Sequence, residues 1–121
     1  MLSGGNATIY VSDLESALGF YIDKLGLKLV HRSGSTGAEL DAGGGFRIVL
    51  QPAAPAAPRP GTSGAITIGF RVAKSLDQVV EKLRARGVWF RGPIVESGGM
   101  RVAYFGDPDG NDLYLCELGA T

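Results

Sequence analysis

The sequence predicts an α+β fold of two similar halves, each with the order strand, helix, strand, strand, strand. Three observations support this prediction. Each half opens with a short strand that leads into a capped, amphipathic helix. The valine that ends this strand and the glycine that ends the helix are 15 positions apart in both halves, Val11 to Gly26 and Val72 to Gly87. A proline- and alanine-rich segment separates the halves.

The first half begins with a strand over residues 6–11. The next four residues, Ser12-Asp13-Leu14-Glu15, predict a capping box in which Ser12 caps the helix and Glu15 reaches back to it. Apolar residues then recur at helical spacing and predict one buried face: Leu14, Leu18, Tyr21 and Leu25. Gly26 ends the helix. Three strands are predicted to follow, over residues 28–32, 37–41 and 46–51.

The second half repeats this order, with a strand over residues 65–72 and a helix capped by Ser75, which Gln78 follows three positions later. The apolar helix face comprises Leu76, Val79, Val80 and Leu83. Strands are predicted over residues 88–91, 101–105 and 112–118. Aspartate, proline and glycine in the segment Asp107-Pro108-Asp109-Gly110-Asn111 predict a tight turn before the last strand. The equivalent turn of the first half is Gly43-Gly44-Gly45.

Residues 51–64, QPAAPAAPRPGTSG, hold four of the six prolines. Proline lacks the amide donor and fixes its backbone angle, so the segment is expected to be a semi-extended connector that does not pair inside a sheet. We therefore expect an N-terminal module at 6–51, a linker at 52–64 and a C-terminal module at 65–118. The two modules form one structural domain, because a sheet with a helix on one face needs a partner for its other face.

Composition excludes several classes of function. The 12 basic and 12 acidic residues give a net charge of zero, which argues against nucleic acid or an anionic membrane as a partner. The apolar stretches are too short to span a bilayer. With one cysteine, Cys116, no intrachain disulfide can form, and the N-terminal residues lack the pattern of a signal peptide. We therefore expect a cytoplasmic protein. The single histidine, His31, excludes mechanisms that need two histidines from one chain.

Two segments, NATIYVSDLESALGFYIDKLGLKL and FGDPDGNDLYLCEL, resemble the vicinal oxygen chelate superfamily. This superfamily includes glyoxalases, extradiol dioxygenases, fosfomycin-resistance enzymes and bleomycin-binding resistance proteins. The resemblance extends over residues 6–118. It implies paired βαβββ modules whose curved, mixed sheets enclose a cavity, completed in a homodimer.

Enzymes of this superfamily generally hold a divalent metal at four strand positions, which the resemblance carries over to Asn6, Val49, Thr67 and Tyr114. None of these is a histidine, carboxylate or cysteine, the side chains that hold transition metals. Glu117 cannot replace the fourth ligand, because it lies three positions after Tyr114 and strand alternation turns it to the opposite face. We therefore predict no metal and no cofactor.

Strand alternation leaves a mixed, partly polar face opposite the apolar face of each sheet, which is typical of a lined pocket. The predicted ligand-binding residues are Asn6, Thr8, Tyr10, Arg47, Val49, Gln51, Thr67, Trp89 and Tyr114. A positioned arginine suits an anionic or carbonyl group, and the tyrosines suit an aromatic ligand.

Several of these residues also have a structural interpretation. Arg47 could instead reach solvent from a sheet end, and Tyr114 could fill the former metal position as packing. Trp89 suits either the cavity mouth or a dimer contact. Cys116 is interpreted as a small buried filler rather than a nucleophile. His31 is interpreted as a solvent-facing residue of an edge strand.

These observations favour a metal-free protein that binds a small organic molecule, an antibiotic or an aromatic metabolite, and sequesters it in the cavity between the modules without turnover. Two alternatives stay open, and no catalytic residue is assigned. One is a glyoxalase- or dioxygenase-like enzyme with an altered site, built on carboxylates such as Asp112 or Glu39 or on residues of a partner chain. The other is a metal-free lyase or isomerase that uses Tyr10, Tyr114 or Arg47.

Overall fold

The structure, a computed structural model, describes residues 1, 5–56, 58–62, 67–73, 75–97 and 99–118. The chain divides into two compact units, Met1–Thr62 and Ser63–Thr121. In the described residues each unit holds a four-stranded mixed sheet and a helix in the order βαβββ, so the predicted α+β fold is confirmed. The module boundaries and the assembly into a homodimer stay predictions.

The first unit contains β1 (Asn6–Val11), α1 (Leu14–Leu18), β2 (Lys28–Ser33), β3 (Gly37–Asp41) and β4 (Arg47–Pro52). The strand order in its sheet is β1-β4-β3-β2; β1 and β4 are parallel and the other pairs antiparallel. All six residues of β2 are exposed, and a register shift lies between Leu29 and His31. His31 is therefore on an exposed edge strand, as predicted.

Helix α1 begins one residue later than the sequence predicts. Its N-cap is Asp13, whose Oδ1 accepts hydrogen bonds from the amides of Glu15 (3.1 Å) and Ser16 (3.4 Å). The prediction of Ser12 as the cap is wrong. Both residues have short polar side chains, and the second of them is the one that reaches the free amides of the first turn. The Glu15 carboxylate forms an ion pair with Arg32 of β2.

The first helix continues from α1 as a π-helix, Gly19–Lys24. The amide of Leu25 donates to the carbonyl of Phe20 at 3.0 Å, an i→i−5 bond that a 3.6-residue sequence pattern does not predict. Phe20 and Tyr21 are both buried although they are adjacent in sequence, and their rings meet edge to face at 5.2 Å. The predicted apolar face is otherwise confirmed: Leu14 and Leu18 are buried and Leu25 is half-buried.

The second unit contains β5 (Ile68–Arg71), α2 (Leu76–Ala85), β6 (Val95–Ser97), β7 (Met100–Gly106) and β8 (Asp112–Leu118). The strand order in its sheet is β5-β8-β7-β6, with β5 and β8 parallel and the other pairs antiparallel. Helix α2 is capped by Ser75, whose Oγ accepts from the Gln78 amide at 3.4 Å, as predicted. Within the described residues, neither helix is long and apolar enough to cross a membrane.

Five of the predicted strands have different bounds in the structure, and three of the differences affect the fold. The strand predicted over residues 88–91 is wrong: Phe90 forms only an isolated bridge to Phe105, and the strand is β6. Gly92, at φ +143°, and Pro93 interrupt the chain between the two segments. Pro52 belongs to β4, opposite Val11, rather than to the connector. It is tolerated because it is the last residue of the strand. Of the strand predicted over 65–72, residues 65 and 66 lie outside the described residues.

The alternation of core and outward residues is confirmed on β1, β3, β4 and β8, whereas on β5 Ile68 and Phe70 are only half-buried and on β7 Val102, of the outward parity, is buried. In the first unit Ile9, Val11, Ile48 and Leu50 are buried. In the second unit Leu113, Leu115 and Phe105 are buried, and the apolar face of α2 contributes Leu76, Val80 and Leu83. The opposite parity of each sheet carries the mixed residues, so each unit presents one face that its own helix does not cover.

The turn between β7 and β8 is organised by one buried carboxylate. Asp107 Oδ1 accepts from the amides of Asp109 (3.0 Å) and Asn111 (2.8 Å), and Oδ2 accepts from Asn111 Nδ2 at 2.8 Å. The Gly110 amide donates to the Asp107 carbonyl at 2.8 Å, and Gly110 has φ +88°. The predicted tight hairpin turn is confirmed, and it sets the pairing of β7 with β8.

An arginine joins the beginning of α2 to the sheet of the second unit. Arg101 Nη1 lies 2.9 Å from Asp77 Oδ2 and 3.3 Å from Glu117 Oε2. The hydrogen bond from Arg101 lowers the pKa of the Asp77 carboxyl below its ordinary value of 3.8. A carboxyl whose pKa is lower in the folded state stabilises the fold above its unfolded-state pKa, and this contribution is lost as the pH falls through the folded-state value.

Replacing Arg101 by glutamine is therefore expected to remove a pH-dependent part of the stability. Wild type is more stable than Arg101→Gln at about pH 7. The difference is smaller at about pH 3, because that pH lies below the ordinary Asp77 pKa of 3.8, where part of this contribution is already lost. Urea unfolding of both proteins at the two pH values measures this. Lys82→Ala is the control, since Lys82 is exposed on α2 and forms no ion pair with the described residues. A difference that is the same at both pH values would contradict the expectation.

Candidate ligand-binding faces

The outward face of the first sheet is built from paired rows of side chains. Strand register places Asn6 beside Arg47 and Thr8 beside Val49. A further row pairs Tyr10 with Gln51. Residues paired across neighbouring strands point to the same face, so six of the predicted ligand-binding residues share this face. Sequence alternation alone predicted this grouping.

Arg47 lies among carboxylates on this face. Its Nη1 is 3.7 Å from Glu39 Oε2, and Asp41 of β3 is its direct cross-strand neighbour. The Arg47 and Glu39 side chains are both about one-third exposed. The charge of Arg47 is thus compensated within its own sheet, and Glu39, one of the carboxylates considered for an altered enzyme site, is its partner.

Tyr10 and Arg47 lie at opposite ends of the face. Tyr10 is paired with Gln51, four positions along β4 from Arg47. At about 3.3 Å per residue, this separates the two rows by about 13 Å. Tyr10 is 51% exposed. A small ligand that contacts both residues would have to extend along the strand. Whether Arg47, Tyr10 and Tyr114 converge on one pocket stays a prediction.

In the second sheet Tyr114 of β8 lies across a glycine of β5. Gly69 is its cross-strand neighbour, and a Cβ on residue 69 would overlap the tyrosine ring, 2.6 Å from the hydroxyl oxygen. The glycine therefore lets the Tyr114 ring lie flat on the sheet. This packing accounts for the orientation of Tyr114 and leaves the ring half-buried.

A second tyrosine on this face was missed by the sequence reasoning. Tyr104 of β7 is the direct cross-strand neighbour of Tyr114, with ring centroids 5.9 Å apart and an angle of 52° between the rings. Tyr104 is 46% exposed. The signal was present in the sequence, because a tight turn at Asp107–Gly110 fixes which residues of the two strands face each other.

One end of the same face carries an arginine–carboxylate pair. Arg91 forms an ion pair with Asp112 and donates to the Gly110 carbonyl at 3.1 Å. Its guanidinium lies where a side chain on Gly106 would be. Asp112 also accepts, through its backbone carbonyl, a 3.0 Å hydrogen bond from the hydroxyl of Thr67. Asp112, the other carboxylate considered for an enzyme site, is thus also paired with an arginine.

The remaining predicted residues have contrasting environments. Trp89 is 84% exposed, and its neighbour Phe90 is buried against Phe105, with ring centroids 5.3 Å apart. Cys116 is half-buried on β8. His31 Nε2 lies 3.1 Å from the Ser33 hydroxyl on the exposed β2 strand.

The four positions where the family resemblance implies a metal do not fit one. Val49 has no donor atom, the Thr67 hydroxyl is bonded to a backbone carbonyl, and the Tyr114 ring lies on Gly69. Glu117 faces α2, where its Oε1 accepts from the Leu76 amide at 3.3 Å, as alternation predicted. No three His, Cys, Asp or Glu side chains of the described residues form a group that could hold a metal ion.

The family model described as "Glyoxalase/Bleomycin resistance protein/Dioxygenase superfamily" matches residues 5–115. The chain belongs to this superfamily. The sequence resemblance is thereby confirmed. No curated protein gives a significant match to the chain.

Solved structures of the superfamily match nearly the whole chain. TnmS3, an antibiotic binding protein from Streptomyces sp. CB03234, is 29% identical with a TM-score of 0.79, covering 98% of both chains. A superfamily member from Sphaerobacter thermophilus DSM 20745 is 28% identical with a TM-score of 0.81, over 97% of this chain and 98% of that one. A lactoylglutathione lyase from Agrobacterium tumefaciens shares the fold at 21% identity, with a TM-score of 0.75, over 95% of this chain and 92% of that one.

Proposed function

We propose that this superfamily member is a small-molecule-binding protein that holds an antibiotic or an aromatic metabolite on its outward sheet faces, without a metal and without turnover. The observation that carries the proposal is the state of the four superfamily metal positions. They hold a neutral amide, an aliphatic side chain, a hydroxyl bonded to backbone and a tyrosine ring lying on Gly69. Such a set lacks the imidazole, thiolate and carboxylate donors that hold transition metals, but it offers apolar and hydrogen-bonding surface.

Two further observations support binding rather than catalysis. Asp112 and Glu39, the carboxylates available for an altered enzyme site, each lie in an ion pair with an arginine. The structural neighbour TnmS3 is an antibiotic binding protein at 29% identity over 98% of both chains. The lining residues of the proposal remain those predicted from sequence, with Tyr104 added.

Thermal unfolding against a panel of antibiotics and aromatic metabolites tests the proposal. A ligand that binds only the folded state stabilises it by about 2.7 kcal/mol at 100 times its Kd, so a true ligand raises the Tm. Tyr114→Leu is expected to reduce this shift, while Lys82→Ala, on the exposed side of α2, leaves it unchanged.

Purified untagged protein is expected to carry no stoichiometric transition metal by mass spectrometry. Equimolar zinc, iron, nickel or manganese, or a Tm that no compound raises, would refute the proposal.

A further inference from the structure

Two arginines of the outward faces differ in whether a carboxylate lies beside them. Arg47, the arginine that sequence reasoning assigned to a ligand anion, has Glu39 at 3.7 Å and Asp41 as its cross-strand neighbour. Arg71 is the last residue of β5 and is exposed. Among the described residues it has no ion-pair partner. An anionic group of a ligand therefore meets an uncompensated charge at Arg71 and a compensated one at Arg47.

Arg71 lies on the same face as the two tyrosines. It is two positions after Gly69, and alternate residues of a strand point to one face. Gly69 is the residue on which the Tyr114 ring lies, so the arginine begins about 7 Å along the strand from the ring. Tyr104 extends the aromatic surface on the other side of Tyr114, with ring centroids 5.9 Å apart.

These positions define an aromatic surface with a cation at one edge. The Tyr104 and Tyr114 rings offer faces and edges to a planar ring system. A guanidinium two residues along the strand suits a carboxylate, sulfonate or similar group, which it can bind through two parallel hydrogen bonds. The Arg71 side chain begins about 7 Å along the strand from the ring and is long enough to reach an anionic group attached directly to a fused aromatic system.

We infer that the second unit selects planar aromatic anions, with Tyr104 and Tyr114 as the stacking surface, Gly69 as the residue that positions Tyr114, and Arg71 as the residue that binds the anionic group. This inference rests on the proposed small-molecule binding and names its ligand class. It assigns the charge selectivity to Arg71 and not to Arg47.

Calorimetric titration with two probes tests the inference: 2-naphthoate, and the neutral 2-naphthylmethanol of nearly the same shape. Wild type is expected to bind 2-naphthoate about tenfold more tightly, as for hydrogen bonds to a charged group. Arg71→Met abolishes this preference and leaves the affinity for the alcohol unchanged. Arg47→Met, the matched control, keeps the preference. Raising the salt concentration reduces the preference in wild type, because the arginine is exposed.

Two variants test the aromatic surface separately from the charge. Tyr104→Leu keeps an apolar side chain but removes a ring. It is expected to lower the affinity for both probes by the same factor, while the preference for the anion stays. Gly69→Ala displaces the Tyr114 ring and has the same expected effect, and circular dichroism confirms that each variant is folded. If the affinities for the two probes fall by different factors, or if neither affinity falls, the stacking role is overturned.

The outcomes separate the inference from the proposed function. Binding of the alcohol without preference for 2-naphthoate, or a preference that survives Arg71→Met, overturns the anion site while small-molecule binding stands. If the preference disappears in Arg47→Met, the first sheet binds the anionic group, and the inference is also overturned. Binding of neither probe overturns it too, and the compound panel then decides independently whether the protein binds a small molecule.

Discussion

Phe105→Ala is expected to lower the free energy of unfolding by about 3–5 kcal/mol, the largest effect of any substitution considered. Phe105 is 0% exposed and lies on β7, an interior strand of the second sheet. Its ring packs against Phe90, over which the Arg84 guanidinium lies at 5.7 Å. Removing the ring leaves a cavity that the surrounding strands cannot close, and it also removes the ring contact with Phe90, which helps to hold residues 88–91 against β7.

Neighbouring substitutions control for this effect. Phe105→Leu retains most of the apolar volume and is expected to lose about 1–2 kcal/mol. Tyr104→Ala alters the next residue of the same strand on the outward face, where the side chain is 46% exposed, and is expected to lose under about 1 kcal/mol. Urea unfolding followed by far-UV circular dichroism gives all three values. Trp89 fluorescence is a poor signal for unfolding, because the indole is already 84% exposed in the folded protein. A loss in Phe105→Ala no greater than that in Tyr104→Ala would contradict the assignment of Phe105 to the core.

Asp107→Ala is expected to lower the free energy of unfolding by about 2–3 kcal/mol, because it removes a carboxylate that accepts several hydrogen bonds. Asp107 is 7% exposed and accepts from the amides of Asp109 and Asn111 and from Asn111 Nδ2. Without the carboxylate, these donors lose their partner in a partly buried turn. The turn also sets the register of β7 and β8, so the pairing of Tyr104 with Tyr114 depends on it.

A conservative variant separates the hydrogen bonds from the shape of the side chain. Asp107→Asn keeps one oxygen for the two backbone amides but places an amide nitrogen against Asn111 Nδ2, so about half of the loss is expected. Equilibrium unfolding measures both variants, and titration of 2-naphthoate then reports whether the tyrosine pair has moved. A loss within about 0.5 kcal/mol of wild type for Asp107→Ala would show that the turn forms without its carboxylate.

The fold was predictable because local signals agreed with one another. Strand alternation placed Ile9, Val11, Ile48 and Leu50 in the core, and Ser75 capped α2 as its position predicts. The errors lie where two signals competed. Ser12 and Asp13 are both good caps, and only the position of the first turn decides between them. Residues 88–91 have strand-like composition, but Gly92 and Pro93 follow directly and move the strand to 95–97.

The outward faces were predictable as sets of residues but not as arrangements of charge. Alternation identified Arg47 and Tyr114 as members of these faces, and the structure agrees. The charge of an arginine is compensated by residues of neighbouring strands, as Glu39 of β3 compensates Arg47 of β4. Alternation within one strand does not show which residues of another strand lie beside it. Tyr104 was missed for the same reason, because its pairing with Tyr114 follows from the hairpin register rather than from spacing within one strand.

The exposed β2 strand has a consequence for how the protein behaves at high concentration. An edge strand offers unpaired amides and carbonyls to other chains, and Leu29 and Val30, each nearly half exposed, would favour a self-associating β-ladder. Lys28 and Arg32 place cationic side chains along the same strand, and the register shift between Leu29 and His31 disturbs a flat ladder. Charged side chains that flank exposed apolar residues of an edge strand generally act as gatekeepers against aggregation. This edge is therefore expected to stay in contact with solvent rather than to pair with other copies of the chain at high concentration.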